Sequence, residues 1–397
     1  MGGRIMATTI NSSTSNGIVI TPDTSGEIEL QANGVTKAKV TANGLQDANG
    51  NSLRGGSYRN LVINGDMRIA QRSTSVSGIT SSSGTYYTVD RFGQWLSGAG
   101  TWTHSQSTDV PTGQGFSNSV KLNCTTANAS LSATAYYHSK YTIEAQNLQH
   151  LKYGTSSAEK ITLSFWVKSN KTGTYILELE QDDSLKVISQ SYTISSADTW
   201  EKKTLTYDGN TADVINNDNG RGIHIWFWFV AGSNFTSGTL NTSWNSRTQA
   251  NDAVGQVNLA DSTSNYINIT GVQLEVGEGA SDFECLPYDV QLQRCQRYYW
   301  RWTATRDLCS AMLASTVSAY GVFAFPVKMR ANPSIATEAT TDVRVSWSAG
   351  TSTTSGFAID RNSDTSCLIR LTTSGLTTGQ GAWYVVDGGS ISGSAEL

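Results

Sequence analysis

Residues Gly271 to Trp302 read GVQLEVGEGASDFECLPYDVQLQRCQRYYWRW, and the change of period inside this stretch divides the chain. Val272–Val276 alternates apolar and polar residues as a half-buried strand does. Gly277, Gly279 and Pro287 then break the run. From Tyr288, the residues Leu292, Cys295, Tyr299 and Trp302 follow at intervals of four, three, four and three, which is one stripe of a helix and a short heptad seam. A helical junction over residues 288–303 is therefore expected. Spacing alone favours packing of this stripe on its own domain, because two heptads do not make a coiled coil.

Before the junction, short runs of strand composition recur at Leu61–Ile63, Ser119–Asn123, Ile161–Lys168, Tyr175–Glu180, Lys202–Tyr207, Gly222–Ala231, Tyr266–Ile269 and Val272–Val276. Eight such runs with almost no helical pattern predict two packed antiparallel sheets over residues 58–287. Beyond the junction, Ala319–Phe325, Asp342–Trp347, Thr365–Leu371 and Gly381–Val386 predict a second β-sandwich over residues 304–397. No repeat of fixed period is present, so a long fibrous shaft is not expected. Residues 1–57 hold three short alternating runs, Ile18–Thr21, Glu27–Gln31 and Lys37–Thr41. Pro22-Asp23, Ser25-Gly26 and Asn33-Gly34 supply turns, and the Asn- and Gly-rich stretch from Asn43 to Gly56 supplies a linker. The fold class is thus all-β: an N-terminal meander, a central sandwich, a short helical junction and a C-terminal sandwich.

Composition narrows the function classes. Only 15% of the 397 residues are charged, the net charge is −4, and no Lys/Arg run is present, so neither nucleic acid nor an anionic lipid surface is an expected partner. Arg4 is the one charge in the first six residues and no apolar run follows it. The expectation is no secretory leader and no membrane insertion. Five widely spaced cysteines without a C-x-x-C pair suit free thiols folded in a reducing cytoplasm.

Alternation assigns faces in the central strands. Ile161, Leu163, Phe165 and Val167, and likewise Ile223, Ile225, Phe227 and Phe229, take the core side. That leaves Trp166, Lys168, His224, Trp226 and Trp228 facing outward. Large aromatics outside a core stripe require a ligand, a covering loop or another subunit. With Lys168 and Glu178, the residues Trp166, Trp226 and Trp228 form a chemically sensible groove for a sugar, whose ring stacks on tryptophan while its hydroxyls meet acids, amides and lysine. A subunit interface or loop cover explains the same residues as well. A second aromatic group, Tyr86, Tyr87, Trp95 and Trp102, lies in Gly- and Ser-rich sequence where ligand contacts are common. Within it Asp90 and Arg91 suit a buried ion pair that fixes the local structure.

Enzyme signatures are thin. His104, His138, His150 and His224 have no metal-ligand spacing, and no nucleophile elbow or phosphate loop occurs. Glu178 and Glu180 alternate onto one strand face about 7 Å apart by strand rise, a separation compatible with an inverting glycosidase. Same-face acid pairs are more often simply solvated, so no enzyme is expected and no catalytic residue is assigned.

Three motifs carry a resemblance: Asn60–Thr74 (NLVINGDMRIAQRST), Tyr86–Trp95 (YYTVDRFGQW), and a closing set made of Gln273–Glu275 (QLE), Phe283–Glu284 and Cys295–Tyr299 (CQRYY). In this order they are similar to bacteriophage tail-fibre and virion-appendage proteins with a lectin-like, carbohydrate-binding-module-like β-sandwich, over about two thirds of the chain. Met67 and Ala70 stand where that family usually has phenylalanine and tryptophan. The Phe325–Pro333 stretch, FPVKMRANP, resembles terminal domains of phage fibres. The resemblance implies a jelly roll for the central domain and a homotrimer on the virion, made in the bacterial host cytoplasm. It implies attachment to tail or adaptor proteins through the N-terminal segment, and adhesion to host surface polysaccharide. It also moves the stripe Leu292, Cys295, Tyr299 and Trp302 from private core to a trimer seam. Such modules often hold a structural calcium, for which Asn64, Asp66 and Asp282 supply hard oxygens; no other cofactor is implied. A purely structural decoration or adaptor protein and a tailspike-like polysaccharide depolymerase are the alternatives.

Overall fold

The computed structural model describes residues 28–41, 44–47, 59–303 and 305–397. The expected strand Ile18–Thr21 and its turns lie outside these residues. So does most of the expected linker, which begins instead with a strand. β1 (Ile28–Ala32) and β2 (Val35–Thr41) form a hairpin, and β3 (Gly44–Asp47) pairs with β2. Asn33 and Gly34 join the hairpin with φ of 53° and 74°, the pair of positive values that a type I′ turn needs. Leu30, Val35, Val40 and Leu45 remain exposed, so this small sheet has no apolar core of its own.

The central unit opens with β4 (Ser75–Ile79), β5 (Ser82–Thr85), β6 (Phe92–Ser97), β7 (Thr101–Ser107) and β8 (Ser119–Thr126). It continues with β9 (Tyr136–Glu144), β10 (Ile161–Ser169), β11 (Gly173–Gln181), β12 (Lys186–Ile194) and β13 (Glu201–Tyr207). β14 (Arg221–Ala231), the one-turn helix α1 (Ser233–Thr236), β15 (Asn245–Ser246) and β16 (Tyr266–Val276) complete it. A six-stranded sheet, β13-β10-β16-β8-β7-β4, faces a seven-stranded sheet, β15-β12-β11-β14-β9-β6-β5, and every pairing is antiparallel. This is the expected β-sandwich.

Between the sheets lie the residues that alternation selects. Ile161, Leu163, Phe165 and Val167 of β10 and Ile223, Ile225, Phe227 and Phe229 of β14 are buried in one core cluster. Each such side chain contributes on the order of 1.5–3 kcal/mol by leaving water. The two runs read as Tyr266–Ile269 and Val272–Val276 are one strand. Gly271, at φ 63°, inserts one extra residue and shifts the register against β10 between Ser164 and Trp166. The bulge returns Val272 and Leu274 to the core face already held by Ile267 and Ile269. A Cβ at Gly271 would approach Phe116 to 2.6 Å, so glycine is required there on two counts. Leu61–Ile63 is not a strand; the Leu61 amide donates to the Leu274 carbonyl, and the Ile63 amide to the Tyr141 hydroxyl.

α2 (Tyr288–Gln296) is the junction helix, and it is shorter than expected. Arg297 caps it, and Tyr299–Thr303 is strand β17. The C-terminal unit then adds β18 (Arg306–Leu313), β19 (Ser318–Ala324), β20 (Ser334–Thr337), β21 (Val343–Trp347) and β22 (Gly350–Ser352). β23 (Gly356–Asn362), β24 (Ser366–Thr372), β25 (Gly381–Val386) and β26 (Ser390–Ser394) follow. A three-stranded sheet, β17-β26-β20, and a seven-stranded sheet, β22-β21-β25-β18-β19-β24-β23, enclose a separate core around Trp300, Phe323, Ile369 and Tyr384.

The seam expectation fails on this geometry. Cys295 and Tyr298 enter the central core and Trp300 the C-terminal core, so the chain crosses from one core to the other within six residues. Leu292 packs on the first core and Trp302 on the second, while Tyr299 is buried under its own chain. The helical period ends at Gln296, so the four residues share no stripe. Among the described residues no helix is long and apolar enough to cross a membrane.

Candidate functional site

The outer face of the seven-stranded central sheet carries most of the aromatic and charged residues singled out above. Its strand register sets Glu178 opposite Trp226, Trp226 opposite Lys140, and His138 between Trp228 and Trp95. Trp95, His138 and Trp226 form a ring stack, with centroids 5.8 and 4.3 Å apart at 12° and 29°. Lys140 Nζ lies 4.7 Å and Arg247 Cζ 4.6 Å from the Trp226 centroid.

This face is covered. After β14 the chain turns at Gly232, where a Cβ would come within 2.2 Å of the Ser132 carbonyl, and returns across the sheet. Phe235 of α1 packs 5.4 Å from Trp228, and Ala253 joins the same cluster. Trp226 keeps 7% of its surface and Trp228 none. They are therefore not stacking platforms, and loop cover accounts for them. His224 is also buried, with Nε2 2.8 Å from Asp182 and Nδ1 2.8 Å from the Thr142 hydroxyl.

At the edge of the cover a cavity of about 670 Å³ is lined by Glu180, Ser184, Leu185, Ser246, Arg247 and Gln249. Arg247 donates to Asp252 at 2.7 Å and lies 4.0 Å from Glu180, which is 3.9 Å from Lys140. Burial pushes the Lys140 ammonium down to about 8, against the pull of Glu180. Burial also raises the Glu180 carboxyl, with Lys140 and Arg247 opposing it. Beside this cavity, buried polar atoms without a protein partner concentrate: Ser184 Oγ, Glu178 Oε1, His138 Nδ1, Asn241 Nδ2, and Nε1 of Trp226 and Trp228. A buried donor or acceptor left without a partner costs on the order of 1–3 kcal/mol, so this concentration is a property of the region that demands a polar occupant.

The other expected site residues scatter. Trp166 and Lys168 lie on β10, in the opposite sheet, so the single groove drawn from alternation does not exist. Alternation gives the face of a strand but not which sheet the strand joins. Lys168 pairs with Asp109 at 2.8 Å, and Asp109 also accepts from Trp200 Nε1. Glu178 and Glu180 do share a face, but Glu178 is fully buried, accepts from the Ser189 hydroxyl, and does not line the cavity. The two acids thus flank no common opening. Trp102 is core, its Nε1 donating to the Ala99 carbonyl. Tyr87 meets His104 edge-on, and Tyr86 reaches the Leu397 carbonyl. The calcium ligands do not converge. Both ends of the Asn64 amide bond backbone of Ile69, Asp66 holds Arg68, and the Asp282 carbonyl accepts from Arg59. A guanidinium on Asp66 already supplies the cation, and among the described residues no three His, Cys, Asp or Glu side chains cluster for a metal.

One arrangement escaped the sequence reading. Asp90 and Arg91 are buried but do not pair with each other: Asp90 accepts from Gln71 and lies 3.7 Å from Arg72, whereas Arg91 pairs with Glu396. Arg72 also reaches Glu396 at 3.2 Å. The Arg91 guanidinium sits 3.4 Å over the Tyr298 ring and that of Arg72 3.5 Å over Tyr299. Arg297 grips Glu144 through two bonds at 2.8 and 2.9 Å. The motifs QR, DR and RYY, far apart in sequence, therefore converge on one buried network that joins the two units. Charged pairs adjacent to tyrosines in otherwise β-type sequence are the signal that pointed to it.

No protein-family model matches this chain, and no curated protein is similar to it. Similar solved structures include the enzymatically active domain of tailspike protein 4 of bacteriophage CBA120, at 18% identity over 56% of this chain and 22% of that one, with a TM-score of 0.28. TmCBM61 in complex with β-1,4-galactotriose is similar at 11% identity over 55% of this chain and 99% of that one, TM-score 0.28. A family 11 carbohydrate-binding module from Clostridium thermocellum is similar at 11% identity over 48% and 91%, TM-score 0.24. This chain spans under a quarter of the tailspike chain. At such values the likenesses say nothing about what this chain binds.

Proposed function

We propose that the protein is a glycan-binding adhesin, a phage tail-fibre-like appendage whose central sandwich engages host surface polysaccharide. The observation that carries this reading is the group of partnerless buried polar atoms beside the cavity lined by Glu180, Ser184 and Arg247. A polyhydroxylated ligand supplies both donors and acceptors, and a charged frame of Glu180, Lys140 and Arg247 orients them. Binding is to sugar edges rather than to a tryptophan face, because the Trp226 ring is already engaged by His138, Lys140 and Arg247.

A glycan array on the full chain tests the proposal, with Arg247→Ala expected to lower the retained signal at least about tenfold. An unchanged signal, or no glycan bound at all, overturns it. A homotrimer is part of the same reading, since three weak sites on one spike raise avidity; sedimentation equilibrium giving a monomer at micromolar concentration would contradict that part. The purely structural alternative has its own support in the exposed apolar side chains Met312, Val322 and Trp383 of the C-terminal unit, which suit a protein neighbour.

A further inference from the structure

Where the central sandwich, α2 and the C-terminal unit meet, a second cavity of about 720 Å³ opens. Arg294 and Arg297 reach it from α2 and its cap, Lys328 from the C-terminal unit, and Glu144 from the end of β9. Three cations thus face one carboxylate in a chain whose net charge is −4, so the charge of this cleft opposes that of the whole. Glu144 does not offset the surplus outward. It is fully buried and its oxygens are occupied by Arg297, the Tyr298 hydroxyl and the Gln146 amide. Lys328 has a partner in Asp364 at 3.2 Å, but its side chain is 69% exposed; pairs of that kind contribute little and exchange readily. Leu61 and Ile143 add apolar wall.

We propose that this cleft is a second binding site, for a saccharide unit bearing a carboxylate or a phosphate. Arg294, Arg297 and Lys328 hold the anionic group, and the sugar carbons lie against Leu61 and Ile143. Guanidinium forks match the oxygens of either anion, and partial exclusion from water strengthens the contact. The cavity falls within the roughly 300–1,000 Å³ range of small-molecule sites. The site is incomplete without the C-terminal unit, because Lys328 comes from there. It shares no lining residue with the sheet-face cavity and does not depend on the adhesin reading.

Isothermal titration of the full chain tests it with trigalacturonate and glucose 6-phosphate as probes, and maltotriose and inorganic phosphate as controls. At least one charged sugar is expected to bind below millimolar concentration, more weakly as salt is raised. Which of the two binds tighter identifies the anion. Lys328→Gln, at an exposed position, weakens binding about tenfold, and Arg294→Gln with Lys328→Gln abolishes it while the melting temperature of the chain is kept. Retained binding of the array glycan by the same variants separates this site from the sheet-face cavity. The proposal is overturned if neither charged sugar binds, if maltotriose or inorganic phosphate binds as tightly, or if the double variant binds like the parent.

Discussion

Two seven-stranded sheets in this molecule turn an aromatic outer face away from their cores, and the two faces meet opposite fates. On the central sheet, Trp226 and Trp228 of β14 are buried beneath the segment that folds back after Gly232. On the C-terminal sheet, the register brings Met312 beside Tyr320 and Val322 beside Leu368, with Trp383 on the same face. Met312, Val322 and Trp383 keep 57%, 62% and 43% of their surface. Both patterns alternate in the same way along the strand. The difference lies in the chain that leaves each strand: a long connection leads from β14 to β16, whereas only Asp387, Gly388 and Gly389 separate β25 from β26. A short turn has no chain with which to cover a face. Alternation therefore says which side chains leave the core, and the length of the next connection says whether they reach solvent.

The strongest test of this contrast is Trp228→Ala. Removing a fully buried indole from under its cover should cost about 3–5 kcal/mol in denaturant unfolding, and a loss below about 1 kcal/mol would show that the cover does not pack. Next in size is Glu396→Gln, which leaves Arg91, 1% exposed, without its anion. Breaking a buried pair costs on the order of 3 kcal/mol. Calorimetry should show the C-terminal unit melting at lower temperature, and an unmoved transition would remove the network from the account of how the units are joined.

Acid should then separate the two units. All four histidines lie in the central unit; burial lowers His104 to about 3, and His224 to about 4 against the pull of Asp182. The folded state keeps these imidazoles neutral while the unfolded chain takes up protons near 6.5, so their contribution is complete above pH 6.5 and is lost as the pH falls toward 4. Urea midpoints of the central unit should drop across that window. Gln at both positions should flatten the slope, and an unchanged slope contradicts the assignment. The smallest effect is expected from Trp383→Ala, within about 0.5 kcal/mol, because an exposed face loses little when truncated. A cost near that of Trp228→Ala would mean that another chain covers this sheet in solution.

Much of the architecture was legible beforehand. Core faces of β10 and β14 followed from period two, and the C-terminal strands fell within a residue or so of their expected bounds. The Asn33-Gly34 hairpin followed from turn chemistry. β9 was missed because Tyr136–Glu144 is buried on both faces and so lacks alternation. The helix was overextended because Tyr299 and Trp302 continue its spacing by coincidence, while pairing with β26 claims them for a strand. The site was less legible than the fold. Glu178, Trp226 and Lys168 were grouped correctly by type and wrongly by place.

Local periodicity, turn residues and composition determined that this protein is all-β, where most strands run and which side chains enter the core, because those properties depend on neighbours in sequence. Only the tertiary structure decided that Trp226 and Trp228 are covered, that Trp166 and Lys168 belong to the other sheet, and that Arg72, Asp90, Arg91, Glu144 and the Arg297–Tyr299 run meet in one network. Those outcomes depend on which strands pair and on where a connecting segment returns, and contacts between distant segments leave no period in a single chain.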